Sequence, residues 1–181
     1  MLKNYIQNRV LREIIEWSLT ILTAIILGML FSRFVAGTAN ISGRSMEPTL
    51  QHNDIIFLNK FVYRFASPKK NDIIVFPYET DPKKKYIKRV IGTPGDIIDY
   101  ADGCILVNSE KLDDAFSGGY TSPGNIKYPL TVPDDHYFAL GDNRNDSEDS
   151  RFTEVGCIPV KKIIGKAFLR ILPINKINLI R

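Results

Sequence analysis

The chain has 181 residues, of which 44% are apolar and 24% are charged. This is enough for one globular domain and a short additional segment. The formal net charge is +4 and the basic residues are spread along the chain, so nucleic acid is not expected as a partner. Cys104 and Cys157 lie far apart without a CxxC motif, and there are 2 histidines, which disfavours a zinc site or a histidine-rich metal site.

A charged lead and a long apolar run begin the chain. Residues 1–16 form a short amphipathic segment, and the run from Trp17 to Ser32 carries no charge. Arg33 interrupts the run near its end, where its side chain can reach the headgroups of a bilayer. Because a spanning helix needs roughly 17–25 residues, the sequence predicts a transmembrane helix over residues 17–36.

Three cations, Lys3, Arg9 and Arg12, precede this span. By the positive-inside rule they place the N-terminus in the cytoplasm and everything after residue 37 outside. The sequence thus predicts a single-pass protein of the plasma membrane in three parts. These are a cytoplasmic segment (1–16), an anchor (17–36) and an extracytoplasmic domain (37–181).

Two other interpretations of the apolar run stay open. It could be a buried core helix, although it is apolar on all faces, which is unusual for a helix of a small domain. It could also be a cleaved signal peptide, because Gly37-Thr38-Ala39 has the small-x-small pattern of such cleavage sites. The leading segment is long and contains Glu13 and Glu16, which favours a retained anchor.

After the span, short apolar runs alternate with turn signals such as Thr93-Pro94-Gly95 and Asp102-Gly103. Many short strands without a convincing helical period indicate a mostly-β domain. Residues 113–128, which are rich in glycine, serine and proline, are interpreted as a long surface excursion. The predicted strands are Ile55–Leu58, Asp72–Phe76, Tyr86–Ile91, Asp96–Tyr100, Cys104–Val107, His136–Leu140 and Ile163–Ile171.

The stretch SGRSMEPTL places Ser45 between Gly43 and Pro48. Glycine frees the backbone ahead of the serine and proline restricts it afterwards, so Ser45 is expected on a tight, exposed turn. A serine so presented can act as a nucleophile, although serines are also common in turns for purely structural reasons.

Lys88 is the second candidate for chemistry. Side chains alternate along a strand, so Lys88 shares a face with Tyr86 and Val90. A lysine packed among apolar neighbours has a lowered pKa, and its neutral amine can take a proton from a serine hydroxyl. The alternative is an edge strand that exposes both Lys88 and Arg89 to water.

The third candidate is the polar stretch Gly141–Arg151, directly after a predicted strand. A calcium loop is rejected because Arg144, Ser147 and Thr153 occupy three positions that such a loop needs for other residues. What remains is a set of hydroxyls, carboxylates and guanidinium groups that can form ion pairs and hold an amine in place.

Together these stretches resemble bacterial type I signal peptidases, the membrane-anchored Ser/Lys proteases that remove signal peptides from exported proteins. The matching segments are SGRSMEPTL (42–50), NDIIVF (71–76), YIKRVIGTPGD (86–96) and GDNRNDSEDSR (141–151), in the family's order behind a single span. The short chain and the single span are similar to the smaller Gram-positive members. The resemblance implies an all-β, Greek-key-rich catalytic domain.

The resemblance also implies the roles of individual residues. Ser45 would be the nucleophile and Lys88 the general base, with Ser147 as the hydroxyl that orients the lysine amine. The supporting groups would be Asp149 and Arg151, as the ion pair that holds the loop, and Asp142. The residues expected to line the pockets for small substrate side chains are Ile41, Met46, Leu50, Tyr86 and Ile87.

By the same resemblance, the substrates would be secretory preproteins delivered by the export machinery and cut after small residues at −3 and −1. The strand at Asp72–Phe76 would help to dock the cleavage segment, and no cofactor or metal would be needed. Some family members carry a hydroxyl residue two positions before the nucleophile, where it helps to bind the oxyanion. Here that position is Gly43, so backbone N–H groups are expected to do this.

Three rival interpretations use the same residues differently. A self-cleaving repressor-type Ser/Lys peptidase needs a DNA-binding module, for which the N-terminal span leaves no room. A Ser-His-Asp hydrolase using His136 conflicts with Glu47, which stands where the G-x-S-x-G motif needs its last glycine. A membrane-anchored binding module, or an inactive relative that captures signal peptides, is disfavoured because both Ser45 and Lys88 are present.

Overall fold

The computed structural model describes residues 2–78, 81, 84–112 and 120–180. Within these residues the chain forms one long helix, twelve strands and four short 3-10 helices. The helix is α1, Leu2–Phe34. The strands are β1 Ala36–Asn40, β2 Ile55–Asn59, β3 Ile73–Pro77, β4 Lys85–Gly92, β5 Ile97–Ala101, β6 Cys104–Val107, β7 Glu110–Lys111, β8 Leu130–Thr131, β9 His136–Leu140, β10 Ile158–Pro159, β11 Gly165–Leu172 and β12 Asn178–Leu179. The 3-10 helices are Val62–Arg64, Arg144–Asp146, Val160–Lys162 and Ile174–Lys176.

Helix α1 is continuous through the predicted amphipathic lead and the apolar run. Ion pairs between Arg9 and Glu13 and between Arg12 and Glu16, each four residues apart, support its charged part. The stretch Arg9–Phe34 is long and apolar enough to cross a membrane, and 0% of its most apolar window is buried. This exposure contradicts the interpretation as a buried core helix. Residues 1–36 form a compact unit of their own.

Residues 37–181 form the second unit, and its described part is built from two sheets. The larger sheet has the strand order β1-β2-β11-β3-β4-β9-β10, with β12 also paired to β11, and the smaller sheet has the order β7-β6-β5-β8. All seven predicted strands are present, with ends within two residues of the predicted ones. The prediction of a mostly-β domain behind an apolar N-terminal helix is confirmed.

Strand β1 and the two-residue strands were not predicted. The sequence of β1, Ala-Gly-Thr-Ala-Asn, has small side chains that carry little apolar periodicity. Residues 113–119 of the expected surface excursion lie outside the described residues. The rest of it is partly packed inward, since Thr121 is buried and the N–H groups of Asn125 and Ile126 donate to the carbonyl of Arg151.

Strand β4 lies inside the larger sheet, where β3 and β9 flank it. Its side chains alternate between separate apolar clusters. Tyr86 and Val90 pack with Ile74 of β3, whereas Ile91 packs with Ile98 of the smaller sheet. The face that carries Tyr86 and Val90, on which the sequence places the candidate lysine, is therefore apolar.

Candidate active site

Ser45 lies in the turn between β1 and β2, on the segment 42–50 that we call the serine turn. Gly43 has φ +105°, a backbone conformation that favours glycine, which explains its place just ahead of the serine. The N–H of Leu50 donates to the carbonyl of Met46 at 2.8 Å, and both side chains are buried in the core. The turn is thus anchored by apolar side chains on one side while it presents Ser45 on the other.

The stretch Gly141–Arg151, which we call the polar loop, holds the serine turn from the other side. The backbone N–H of Asn143 donates to the carbonyl of Ser45 at 3.0 Å, and the side-chain amide of Asn143 donates to the carbonyl of Arg44 at 3.3 Å. The backbone around the candidate nucleophile is therefore fixed by a segment nearly one hundred residues away in the sequence.

Lys88 meets Ser45 directly. Its Nζ atom donates a hydrogen bond to Ser45 Oγ at 2.8 Å. The exposed fractions of Lys88 and Arg89 are 3% and 4%. The alternative of an edge strand with both cations in water is therefore wrong. β9 flanks β4 from Arg89 onward, and Lys88, which stands just before that pairing begins, is buried on an apolar face.

Burial lowers the pKa of Lys88 from its usual value near 10.5 to about 8, because the charged amine is separated from water. The charges of Asp149 and Glu148, and more weakly that of Asp142, act in the opposite direction and raise the pKa. The charge of Arg151 lowers it. A substantial fraction of the amine is therefore neutral near pH 8 and available as a base.

Two buried ion pairs fix the polar loop. The first joins Arg89 of β4 to Asp142 through two hydrogen bonds, Nε to Oδ1 at 2.8 Å and Nη2 to Oδ2 at 2.7 Å. The hydroxyl of Thr49 also donates to Asp142 Oδ2, which links the carboxylate to the serine turn. This pair therefore connects three segments: the strand with the lysine, the polar loop and the serine turn.

The second pair joins Asp149 and Arg151, whose side chains are both 0% exposed. Arg151 donates from Nε to Asp149 Oδ1 at 2.8 Å and from Nη2 to Oδ2 at 2.9 Å. It also donates to the carbonyls of Ser122 and Arg144, and the N–H of Gly141 donates to Asp149. The pair thus shapes the polar loop from inside.

Ser147 lies close to Ser45 but is not bonded to Lys88. Its buried Oγ has no hydrogen-bond partner within the part of the chain that the structure describes. The atom lies close to Gly141, where an added Cβ would collide with Ser147 Oγ and with the carbonyl of Ser45. The hydroxyl therefore sits in the region expected from the sequence, while the amine of Lys88 is bonded to Ser45 instead.

A cleft runs past Ser45 and Lys88. Its walls come from β1, the serine turn, the first half of β4 and the polar loop. Ile41, Met46, Tyr86 and Ile87, four of the five expected pocket residues, line it. Leu50 instead lies in the core, in the same apolar cluster as Ile41 and Met46.

The strands that border the cleft are β1 and the start of β4. Strand β9 pairs with β4 from Arg89 onward, so the stretch 85–88 is paired on its β3 side. Strand β3 was expected to help dock a substrate, but it lies between β11 and β4 and is paired with both. None of the described residues that line the cleft comes from β3, and the cleft lies where β9 has stopped pairing with β4.

Glu148 is a cleft residue that was not singled out from the sequence. The hydroxyls of Tyr86 and Tyr78 both donate to its carboxylate, the second at 3.2 Å. Its neighbours Ser147 and Asp149 were singled out. In the sequence Glu148 is visible only as one more carboxylate in the polar loop. Its two tyrosine partners lie more than sixty residues away in the chain, so the sequence does not show which groups it binds.

Comparison with known proteins identifies the family. A model of the family described as "Signal peptidase, peptidase S26" matches residues 14–172. The chain belongs to this signal peptidase family. The resemblance stated from the motifs is confirmed, and the chain is a signal peptidase hydrolase, a serine protease that removes signal peptides from exported preproteins.

The relatives cover most of the chain. It is 39% identical over 172 residues to probable signal peptidase I-2 of Synechocystis sp., an alignment that covers 92% of this chain and 77% of that protein. It is 35% identical to signal peptidase I P of Bacillus subtilis subsp. natto, over 95% of this chain and 96% of that protein. A crystal structure of signal peptidase I from Enterococcus faecalis V583 matches 56% of this chain and 97% of its own, with 31% identity and a TM-score of 0.47. The similarity to the short Gram-positive members is confirmed by the Bacillus and Staphylococcus relatives.

Proposed function

We propose that this signal peptidase is a membrane-anchored endopeptidase in which Ser45 is the nucleophile and Lys88 the general base. The observation that carries the proposal is the 2.8 Å hydrogen bond between Lys88 Nζ and Ser45 Oγ, made by a lysine that is 3% exposed. A buried amine with a lowered pKa in contact with a hydroxyl is the arrangement that activates serine without a histidine.

The reaction follows from this contact. Neutral Lys88 takes the proton of Ser45, and Oγ attacks the carbonyl carbon of the residue before the scissile bond. The tetrahedral intermediate collapses when the C–N bond breaks, and Lys88 gives its proton to the leaving amine. Water, deprotonated by the same amine, then attacks the ester and releases the acid.

The oxyanion is proposed to be bound by backbone donors, notably the N–H of Ser45. Gly43 offers no side chain for this purpose, and Ser42 is not assigned the role. The turn is held by the bond from Asn143 N–H to the carbonyl of Ser45, so its peptide groups are positioned before the substrate arrives.

The supporting groups are proposed to keep the dyad in place. Asp142, through Arg89, fixes the polar loop against β4, and Asp149, through Arg151, holds the shape of the loop from inside. Ser147 is proposed to accept a hydrogen bond from Lys88 when the amine turns away from Ser45 during acylation, which would satisfy its buried hydroxyl.

Substrate is proposed to bind as an extended strand between β1 and residues 85–88, where backbone groups of β4 face the cleft. Ile41, Met46, Tyr86 and Ile87 would form the pockets that accept small side chains at −3 and −1. Leu50 would support Met46 from within the core.

Helix α1 is proposed to be a retained anchor that spans the plasma membrane from residue 17 to its end at Phe34, two residues short of the predicted end of the span, since Ala36 begins β1. Residues 1–16 would lie in the cytoplasm and residues 37–181 outside. The apolar stretch Arg9–Phe34 and the cations before residue 17 support this orientation. Preproteins delivered by the export machinery would then present their cleavage sites on the same side of the bilayer as the catalytic domain.

The test uses the full chain in lipid with a model preprotein, beside Ser45→Ala and Lys88→Ala. We expect wild type to cut after a small-x-small site, as read by mass spectrometry of the product's new N-terminus, and both variants to lose at least 10³-fold in rate, on the order expected for loss of an activated nucleophile. If Ser45→Ala cuts at the wild-type rate, Ser45 is not the nucleophile. If neither wild type nor variants cut, a binding role becomes the leading interpretation.

A further inference from the structure

We propose that Glu148 is a positioning residue for the Ser/Lys reaction, because it holds the Tyr86 ring against the Lys88 amine and places a negative charge at the cleft side of that amine. The inference rests on the proposed role of Lys88 as the base. The proposal adds Glu148 to the functional residues inferred from the sequence. It also adds a link between β4 and the polar loop, the hydrogen bond from Tyr86 to Glu148.

The geometry is a connected set of aromatic and carboxylate groups. The centroid of the Tyr86 ring lies 5.1 Å from Lys88 Nζ, and the Tyr86 hydroxyl donates to Glu148. The ring of Tyr78 stacks on that of Tyr86 with centroids 4.7 Å apart, and its hydroxyl donates to the same carboxylate at 3.2 Å. Glu148 therefore holds both tyrosine side chains, and the ring of Tyr86 contacts the amine of Lys88.

This linkage also joins two chain segments on either side of the dyad. Tyr86 stands two residues before Lys88 on the same face of β4, and Glu148 stands between Ser147 and Asp149 in the polar loop. If the bond from Tyr86 to Glu148 is lost, the ring keeps its stacking partner but the loop loses its attachment to the start of β4. The amine would then be held less firmly toward Ser45.

Glu148 differs from the other carboxylates near the amine. Asp142 and Asp149 each share their charge with a guanidinium group, that of Arg89 or Arg151. The two hydrogen bonds from tyrosine come from neutral phenols, so they do not offset the charge of Glu148. Glu148 is exposed, and its effect on the amine is accordingly screened by salt.

Several other charged and titratable groups surround Lys88 and Tyr86. Just after the serine turn, His52 accepts a hydrogen bond from the N–H of Gly43, and on the turn itself Arg44 pairs with Glu47. At the start of β4, Lys84 Nζ lies 5.3 Å from the Tyr86 centroid. From β3, the cross-strand neighbour of Lys88 is the apolar Ile74. The charged groups whose electrostatic interaction shifts the pKa of Lys88 are Asp142, Glu148, Asp149 and Arg151.

The charge of Glu148 has an effect of known direction on the pKa of Lys88. A carboxylate near an amine favours the ammonium form and so raises the pKa of Lys88, as the charge of Glu148 does here. Glu148→Gln keeps a hydrogen-bond acceptor for the phenols but removes the charge. The pKa of Lys88 should then fall, and the acid limb of the pH–rate profile should move to lower pH.

The experiment measures kcat/KM from pH 6 to 10 for wild type, Glu148→Gln and Tyr86→Phe in the full chain. We expect the acid limb of Glu148→Gln to move down by roughly 0.3–1 pH unit at low salt, and by less in high salt. Tyr86→Phe should shift it in the same direction by a smaller amount, because Tyr78 still binds the carboxylate. Glu154→Gln is the charge-matched control, since its carboxylate bonds to Asn125 and Thr153 instead, and its limb should coincide with that of wild type.

Competitive acylation of Lys88, read by mass spectrometry, gives the pKa of the amine independently of cleavage. If Lys88→Ala is inactive but Glu148→Gln leaves both the labelling pKa and the acid limb within about 0.1 pH unit of wild type, the role of Glu148 is refuted. If the labelling pKa falls while the acid limb stays in place, Glu148 acts on the amine as inferred, and it is the assignment of Lys88 as the base that fails.

Discussion

The buried pair of Arg89 and Asp142 provides a sharp test of how the site is held together. Asp142 is 0% exposed and Arg89 is 4% exposed, and two hydrogen bonds of 2.8 and 2.7 Å join them. Asp142→Asn keeps the size and one oxygen of the side chain but leaves the guanidinium of Arg89 buried without its counter-ion. Breaking a buried pair in this way costs about 3–5 kcal/mol.

That loss is a large share of the free energy of unfolding, which is about 5–15 kcal/mol for native proteins. It corresponds to a fall of roughly 10–15 °C in Tm, at about 3 °C per kcal/mol for a domain of about 150 residues. The double variant Arg89→Met with Asp142→Leu removes both charges and should recover most of the lost stability, because an apolar pair needs no counter-ion.

The assay is urea unfolding of the full chain in detergent, followed by tyrosine fluorescence, with Lys70→Gln as control. Lys70 pairs with Asp96 at 3.1 Å, but its side chain is 45% exposed, so its loss should cost less than about 1 kcal/mol. If Asp142→Asn unfolds within about 1 kcal/mol of wild type, or if the double variant is no more stable than the single one, the pair does not hold the segments together as argued.

Four further outcomes follow from the same geometry. Activity should fall about tenfold per pH unit below pH 8, because the proposed base Lys88 must be neutral and its pKa is about 8. A flat kcat/KM profile down to pH 6 would contradict this proposed role. Gly141→Ala should lower kcat by about tenfold or more, because the new Cβ would collide with Ser147 and with the carbonyl of Ser45 and so displace the proposed nucleophile. Gly28→Ala is the control: its Cβ would meet nothing within 4 Å, so it should retain the wild-type rate. Gly43→Ala should cost about 1–3 kcal/mol in urea unfolding because of its φ of +105°, although its Cβ would meet open space; an unchanged midpoint would show that the turn relaxes freely. Arg151→Lys should lose about 3 kcal/mol and most activity, because lysine cannot reproduce the two bonds to Asp149; wild-type stability and rate would mean that one charge at this position is sufficient.

Much of the architecture could be predicted from local patterns. The apolar run and the seven longer strands other than β1 are encoded by side chains that lie near one another in the sequence, and the ends of those strands agree with the structure within two residues. The start of α1 was missed because residues 1–16 mix charges with apolar positions, and ion pairs between side chains four residues apart extend the helix there. Strand β1 was missed because its small side chains give no clear period.

The sequence by itself determined which chemical groups are available: a serine on a glycine-containing turn, a lysine in an apolar strand and a polar loop rich in carboxylates. The tertiary structure decided how they meet. Lys88 is buried on a face of β4 that packs with apolar residues of β3 and β9, and that environment, set by strands distant in sequence, lowers its pKa. The end of β9 pairing opens the cleft, and the fold brings Glu148 to Tyr86. Burial, pairing and pKa depend on contacts between residues far apart in the chain, so no local pattern could supply them.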